Sequence, residues 1–325
     1  MDKILGKGIS AYARVRILTY LNCMQATFGT LAGYLGVTDR TLLQASCPLE
    51  GGGASEGSTC GVVSGGCLAI ALAHLGDILS GEAGRGEALY ERLRQYTDWF
   101  ETEFASTICR ERCGVEVKEV AGFLAYLFTG KVVTRCVNHI GRAAAHLLAP
   151  VNQALEGGGE VTDLDRRLAV EGGYCAAEVL KGIREHNGHG SLLLEQVSVA
   201  FDGGIGLSGG LCGALAGALL PLGLLWGIDP RKDGLAGTMA AFLHGHANLY
   251  LERSEPELWA VANPFVREFK RRYGSLECRD VAGRRFASGT ELAEFMASSP
   301  ACAEIKRWCR DRAVELIAAN RVFAT

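Results

Sequence analysis

A charge excess of either sign is what this chain most plainly lacks. Its 33 lysines and arginines face 36 aspartates and glutamates, for a formal net charge of −3. No basic run is interleaved with aromatics, which argues against nucleic acid as a partner. The N-terminal Met1-Asp-Lys-Ile-Leu-Gly-Lys-Gly has no apolar h-region or cleavage site, so a cytoplasmic protein is expected. Convincing strand alternation is missing as well. So are the Gly-Lys-Ser/Thr of a phosphate-binding loop, the paired Cys-x-x-Cys knuckles of structural zinc sites and the Cys-x-x-Cys-His of covalent c-type haem.

Cysteine is abundant, with 12 in 325 residues. The cytoplasm keeps thiols reduced, so six structural disulfides are not expected. That leaves metal or cluster ligation, redox exchange, or burial as small apolar side chains.

The cysteines repeat. Cys23 and Cys60 return as Cys175 and Cys212, both shifted by 152 residues (175 − 23 = 212 − 60 = 152). The same shift carries Gly51, Gly52, Gly57, Gly61 and Gly65 onto Gly203, Gly204, Gly209, Gly213 and Gly217. Cys109-Arg110 reads against Cys278-Arg279, and Cys136 against Cys309, the latter chosen over Cys302 from the residues that follow it. Packing alone explains conserved small residues within a duplication, but it explains conserved sulfur less well. Cys47, Cys67, Cys113 and Cys302 have no counterpart and are read first as core residues.

The repeat and the apolar spacing predict an all-α fold of two tandem pseudo-symmetric helical bundle units, residues 1–155 and 160–325. Leu18, Leu21, Met24, Phe28, Leu31 and Leu35 predict one amphipathic helix carrying Cys23. Its counterpart runs from about Leu164 to Arg184 with Cys175. A short helix follows in each half, after Thr38 and after Ser191. Glycine-rich bends, Glu50-Gly-Gly-Gly and Asp202-Gly-Gly-Ile-Gly, then lead into apolar helices opened by Cys60 and Cys212. A cysteine there meets the positive end of the helix dipole, which favours thiolate. Gly61 and Gly65, like Gly213 and Gly217, also suit a close helix crossing, and both readings can hold together. Residues 203–228 carry no charge, yet nine glycines and Pro221 make them a buried helix rather than a membrane span.

Among the histidines, His139 lies one turn after Cys136 and is a lesser candidate ligand, as are Cys67 and Cys113. His186, His189, His244 and His246 belong only to the second half, which argues against a role in any shared chemistry.

Asn22-Cys23-Met-Gln-Ala, Thr59-Cys60-Gly61-x-x-x-Gly65, Ser106-x-x-Cys109-Arg110 and Cys136 resemble the C-GCAxxG-C-C family of redox-active proteins. Tyr174-Cys175, Cys212-Gly213-Ala-Leu-Ala-Gly217, Ser275-x-x-Cys278-Arg279 and Cys309 form a second copy. Two departures stand out: Gly61 and Gly213 replace the motif alanine, and the closing glycine comes one residue late. A related unit in split-Soret cytochrome carries an iron–sulfur cluster beside its haems. The resemblance therefore implies a cysteine-ligated iron–sulfur redox or electron-transfer protein, without c-type haem. The implied ligands are Cys23, Cys60, Cys109 and Cys136 in one half and Cys175, Cys212, Cys278 and Cys309 in the other. Cluster type and number are open. The partner is a redox protein or a small-molecule substrate, and a homodimer and an oxidoreductase activity are open too. The alternatives are a cluster-free thiol–disulfide protein and a redox-silent metal-binding or scaffold protein.

Overall fold

The computed structural model describes residues 2–37, 39–115, 119–251 and 257–320. In the first half the helices are α1 (Asp2–Tyr20), α2 (Cys23–Tyr34), α3 (Arg40–Ala45), α4 (Gly61–Ala73), α5 (Leu75–Ser80), α6 (Arg85–Phe104), α7 (Cys109–Cys113), α8 (Val120–Phe128) and α9 (Asn138–Asn152). The second half follows with α10 (Asp163–Glu171), α11 (Ala176–Asn187), α12 (Leu192–Val197), α13 (Gly213–Trp226), α14 (Pro230–Leu251), α15 (Leu258–Tyr273), α16 (Cys278–Val281), α17 (Gly289–Ser298) and α18 (Pro300–Asn320). No strand occurs among the described residues, only two isolated bridges, Thr59–Ile108 and Leu211–Glu277. The all-α expectation holds.

The two predicted cysteine helices are each two helices. Leu21 has φ of 53° and ends the first segment, after which the Asn22 side chain accepts from Gln25 N and starts α2. In the second half Gly172 caps α10 in the left-handed region, and Asp202 accepts from the N–H groups of Tyr174 and Cys175 just before α11. Apolar spacing runs on across both breaks, so it cannot reveal them. Their effect is to put Cys23 and Cys175 at helix starts, like Cys60 and Cys212. Thr38 lies outside the described residues, and Asp39 caps α3 through Thr41 N.

The glycine-rich bends repeat residue by residue. Positive φ occurs at 51, 52, 53, 54, 55 and 57, and again at 203, 204, 205, 206, 207 and 209. Gly57 N donates to Gly51 O at 2.9 Å and Gly209 N to Gly203 O at 3.0 Å. Each bend ends against its partner turn: Cys109 N donates to Ser58 O and Cys278 N to Gly210 O, both at 2.6 Å. The bend therefore fixes the second and third cysteines of each unit side by side.

Apolar on every side, α4 and α13 are buried at the centre of the molecule. A Cβ on Gly61 would lie 2.5 Å from Cys23 Sγ, and one on Gly213 would lie 2.8 Å from Cys175 Cβ. Glycine here lets each central helix start against the first cysteine of its own unit.

The halves clasp each other. Trp259 Nε1 on α15 donates to Glu50 at 3.1 Å in the first bend, and Tyr90 on α6 donates to Asp202 at 2.7 Å in the second. Asn263 donates to the carbonyl of Ala54, and Thr97 to that of Gly206. Such reciprocal contacts are the pattern of an isologous pair. Buried apolar residues from both halves form one continuous core. Among the described residues no single helix is long and apolar enough to cross a membrane; α13 and α14 reach that length and composition only together, bent by 86° at their break.

Candidate functional site

Five thiols of the first half lie within electrostatic reach of one another. Cys23 opens α2, Cys60 caps α4, Cys109 and Cys113 begin and end α7, and Cys136 sits in the wide turn Val132–Val137. All five are buried except Cys23, which is partly so. Burial pushes the Cys23 thiol up, and Cys60, Cys136 and Glu50 add to it. Cys60 is raised by burial, then by Cys136 and Cys113, while the N–H groups of Val62 and Val63 at the start of α4 oppose the rise. For Cys109 the hydrogen bond with Cys113 favours thiolate, but burial and the neighbouring sulfurs outweigh it and hold the thiol up at about 12. The Cys109 and Cys113 sulfurs are 3.7 Å apart.

A cation faces this group. The Arg112 guanidinium interacts with Cys60, Cys113 and Cys136 and contacts His139 Nε2 at 3.1 Å. Burial, then Arg112, Arg135 and Arg142, lowers His139 to about 4, so its ring is neutral at pH 7. Its Nδ1 has no hydrogen-bond partner among the described residues. His139 thus touches the cation beside the thiols.

In the second half Cys175, Cys212, Cys278 and Cys302 line one pocket, walled by Phe286, Leu292, Met296 and Ile305, with Lys306 at its edge. Burial raises Cys212 to about 11, opposed by the N–H groups of Leu215 and Ala214 at the start of α13. Cys278 is raised by burial, then by Cys212, Cys302 and Asp202. Cys309, the sequence choice for the fourth position, is fully buried and outside the lining. Seven residues along α18, it lies about 10 Å from Cys302 along the axis. The pocket encloses about 20 Å³, room for about one water-sized occupant. A metal ion or a cluster bound there needs the surrounding side chains to move.

The remaining thiols pack. Cys47 receives Asn22 Nδ2 at 3.6 Å, and burial pushes it up to about 12. Cys67 fills the space beside Gly206, where a Cβ would come within 2.8 Å of its sulfur. His246 lies buried against Trp259 and Phe242, and His244 faces Glu257 at 3.8 Å. Among the described residues no three or more His, Cys, Asp or Glu side chains converge tightly enough to hold a metal ion as placed.

Two elements of the site escaped the sequence reading, although their signal was present. Glu50 and Asp202 share the 152-residue shift and open the two bends as buried acids. Asp202 holds Cys175 N at 2.8 Å, and Glu50 acts on Cys23.

The donor chemistry suits a thiophilic metal. Several protonated thiols crowded in dry surroundings lose their protons when a cation binds, and the helix starts and Arg112 already favour the thiolate form. No curated protein and no solved structure matches the chain. One family profile, described as "Putative redox-active protein (C_GCAxxG_C_C)", matches residues 21–149 and again residues 173–316. With two tandem copies covering most of its length, the chain belongs to that redox-active family.

Proposed function

We propose that the chain is an iron–sulfur protein with one thiolate-ligated centre in each of two units, residues 1–155 and 160–325. The observation that carries this reading is the twofold collection of buried cysteines at helix starts around a glycine-rich bend. Cys23, Cys60, Cys109 and Cys136 would hold the first centre. Cys175, Cys212 and Cys278 would hold the second, with a fourth thiol from α18. Once bound, such a group supplies one-electron redox chemistry.

The chain's own residues do the rest. Backbone N–H groups of Val62, Val63, Ala214 and Leu215 favour the thiolates of Cys60 and Cys212. Arg112 and Lys306 offset negative charge, and the apolar walls keep water out. A chain rich in reduced cysteine fits the cytoplasm. A redox protein or a small molecule would exchange electrons with it.

Anaerobic purification followed by iron, acid-labile sulfide and visible absorption measurements tests this. Iron and sulfide with a thiolate charge-transfer spectrum are expected. Colourless, iron-free protein with intact thiols would reject it. The close Cys109–Cys113 pair favours one rival, a cluster-free thiol–disulfide protein, whose sign would be a reversible bond at a measurable potential. The burial of both thiols and their raised proton affinity count against that rival.

A further inference from the structure

Cys113 has no counterpart among the repeated cysteines and stands outside the four-cysteine pattern of the family. We propose that it is a metal donor of the first site, paired with Cys109 as a chelate on one helical turn. The proposal deepens the metal-centre reading and rests on it.

Three observations carry the assignment. First, the two sulfurs are 3.7 Å apart. Metal–sulfur bonds of about 2.3 Å in a tetrahedral site separate two thiolates by roughly 3.8 Å, so the pair already stands at the edge length of such a site. Second, spacing of four residues puts both side chains on one face of α7. The turn is closed by Gly114, whose N–H donates to Arg110 O at 2.9 Å with φ of 62°. Third, Cys109 to Cys278 is a shift of 169 residues (278 − 109), which carries Cys113 to Ala282. Ala282 lines the second thiol pocket. The position therefore faces the site in both units, with a sulfur in one and a methyl in the other.

Cys113 is also tied to the rest of the group, because its sulfur meets those of Cys109 and Cys136. Cys67, the other added thiol next to the motif, is turned away towards Gly206. The first site thus has five sulfur donors for a thiophilic metal and the second has four, so the two centres are built unequal.

Cd(II) titration of the reduced full-length chain, with a competing chelator and sulfur-to-metal charge-transfer absorbance as readout, tests the assignment. Cys113→Ser keeps the size of the side chain, and Cys67→Ser is the matched control. Loss of even an outer-shell partner costs a metal site about 10–100-fold in affinity. Cys113→Ser should therefore weaken one binding step by at least about tenfold and lose absorbance, with Cys67→Ser like wild type. A Cys113→Ser chain that titrates like wild type would overturn the role of Cys113 and leave the metal reading intact. Wild type giving no charge-transfer band would remove both. A second arm uses wild type alone, in case the variant misfolds. Slow maleimide labelling of Cys109 and Cys113, mapped by mass spectrometry, should fall by the same factor when Cd(II) is bound, and Cys113 labelling that ignores the metal would overturn the proposal.

Discussion

Thr59 Oγ1 accepts a hydrogen bond from Leu211 N at 2.7 Å, and the two residues hold the same place in their units, one step before Cys60 and Cys212. The units therefore meet at equivalent positions beside their sites. The cleft around this buried hydrogen bond is so tight that a Cβ on Gly210 would clash with the same hydroxyl.

Replacing Thr59 with valine keeps the shape and removes the acceptor. Leu211 N–H would then be buried without a partner, at a cost of about 1–3 kcal/mol. Urea unfolding should show that loss, and Thr59→Ser should recover most of it. Equal stability of Thr59→Val and wild type would mean that the contact contributes nothing to the junction.

Much of this architecture was legible in the sequence. The gap-free shift of 152 residues announced both bends, and all six positive-φ positions obey it. Helical class followed from spacing. Where reading failed, one residue decided against a long pattern: Asn22 starts a new helix inside an unbroken apolar stripe. The clasp between halves was invisible because a repeat records what each unit is, not how two units pack. The fourth cysteine of the second unit was ambiguous for a geometric reason. A shift of 169 carries Cys136 to Ile305, three residues after Cys302 and four before Cys309. Each is one helical turn away.

Tyr90 reaches from α6 to Asp202, a fully buried carboxylate that also accepts from Tyr174 N and Cys175 N. Burial raises the proton affinity of Asp202, and these three donors oppose the rise. Tyr90→Phe removes one of them and should lower the unfolding free energy by about 1–3 kcal/mol. Thermal and urea unfolding measure it.

Asp165 clips the halves together elsewhere. Its carboxylate accepts from Gly86 N at 2.9 Å, Gly84 N at 3.2 Å, and Thr162 N and Oγ1 at 2.9 and 2.8 Å. Burial alone would raise its pKa, but these hydrogen bonds overcome burial and leave it below the usual carboxylate value. A depressed native pKa gives stability that is present above the unfolded pKa and lost as pH falls through the native one. Asp165→Asn should therefore be less stable than wild type at pH 7, by about 0.5–2 kcal/mol for a capping contact of this kind. The gap should close in acid. Urea midpoints of both chains from pH 7 to 2.5 check the sign, and a difference that grows on acidification would contradict it.

The two thiols of α18 are placed differently about the pocket of the second unit. Cys302 is partly exposed and lines the pocket with Cys175, Cys212 and Cys278, whereas Cys309 is sealed in the core two turns away. Cys302 acts on both Cys212 and Cys278, whereas Cys309 is itself raised by burial and then by Cys212. Removing a donor lowers metal affinity, whereas removing a buried packing thiol lowers stability. Cys302→Ala should therefore lose the metal of the second site while unfolding near the wild-type midpoint. Cys309→Ala should keep the metal and lose about 0.5–3 kcal/mol, the ordinary cost of a core truncation. Metal content per chain and urea unfolding, measured on the same preparations, separate the two effects. A folded Cys309→Ala chain without the second metal, beside a Cys302→Ala chain that keeps it, would return the fourth position to Cys309.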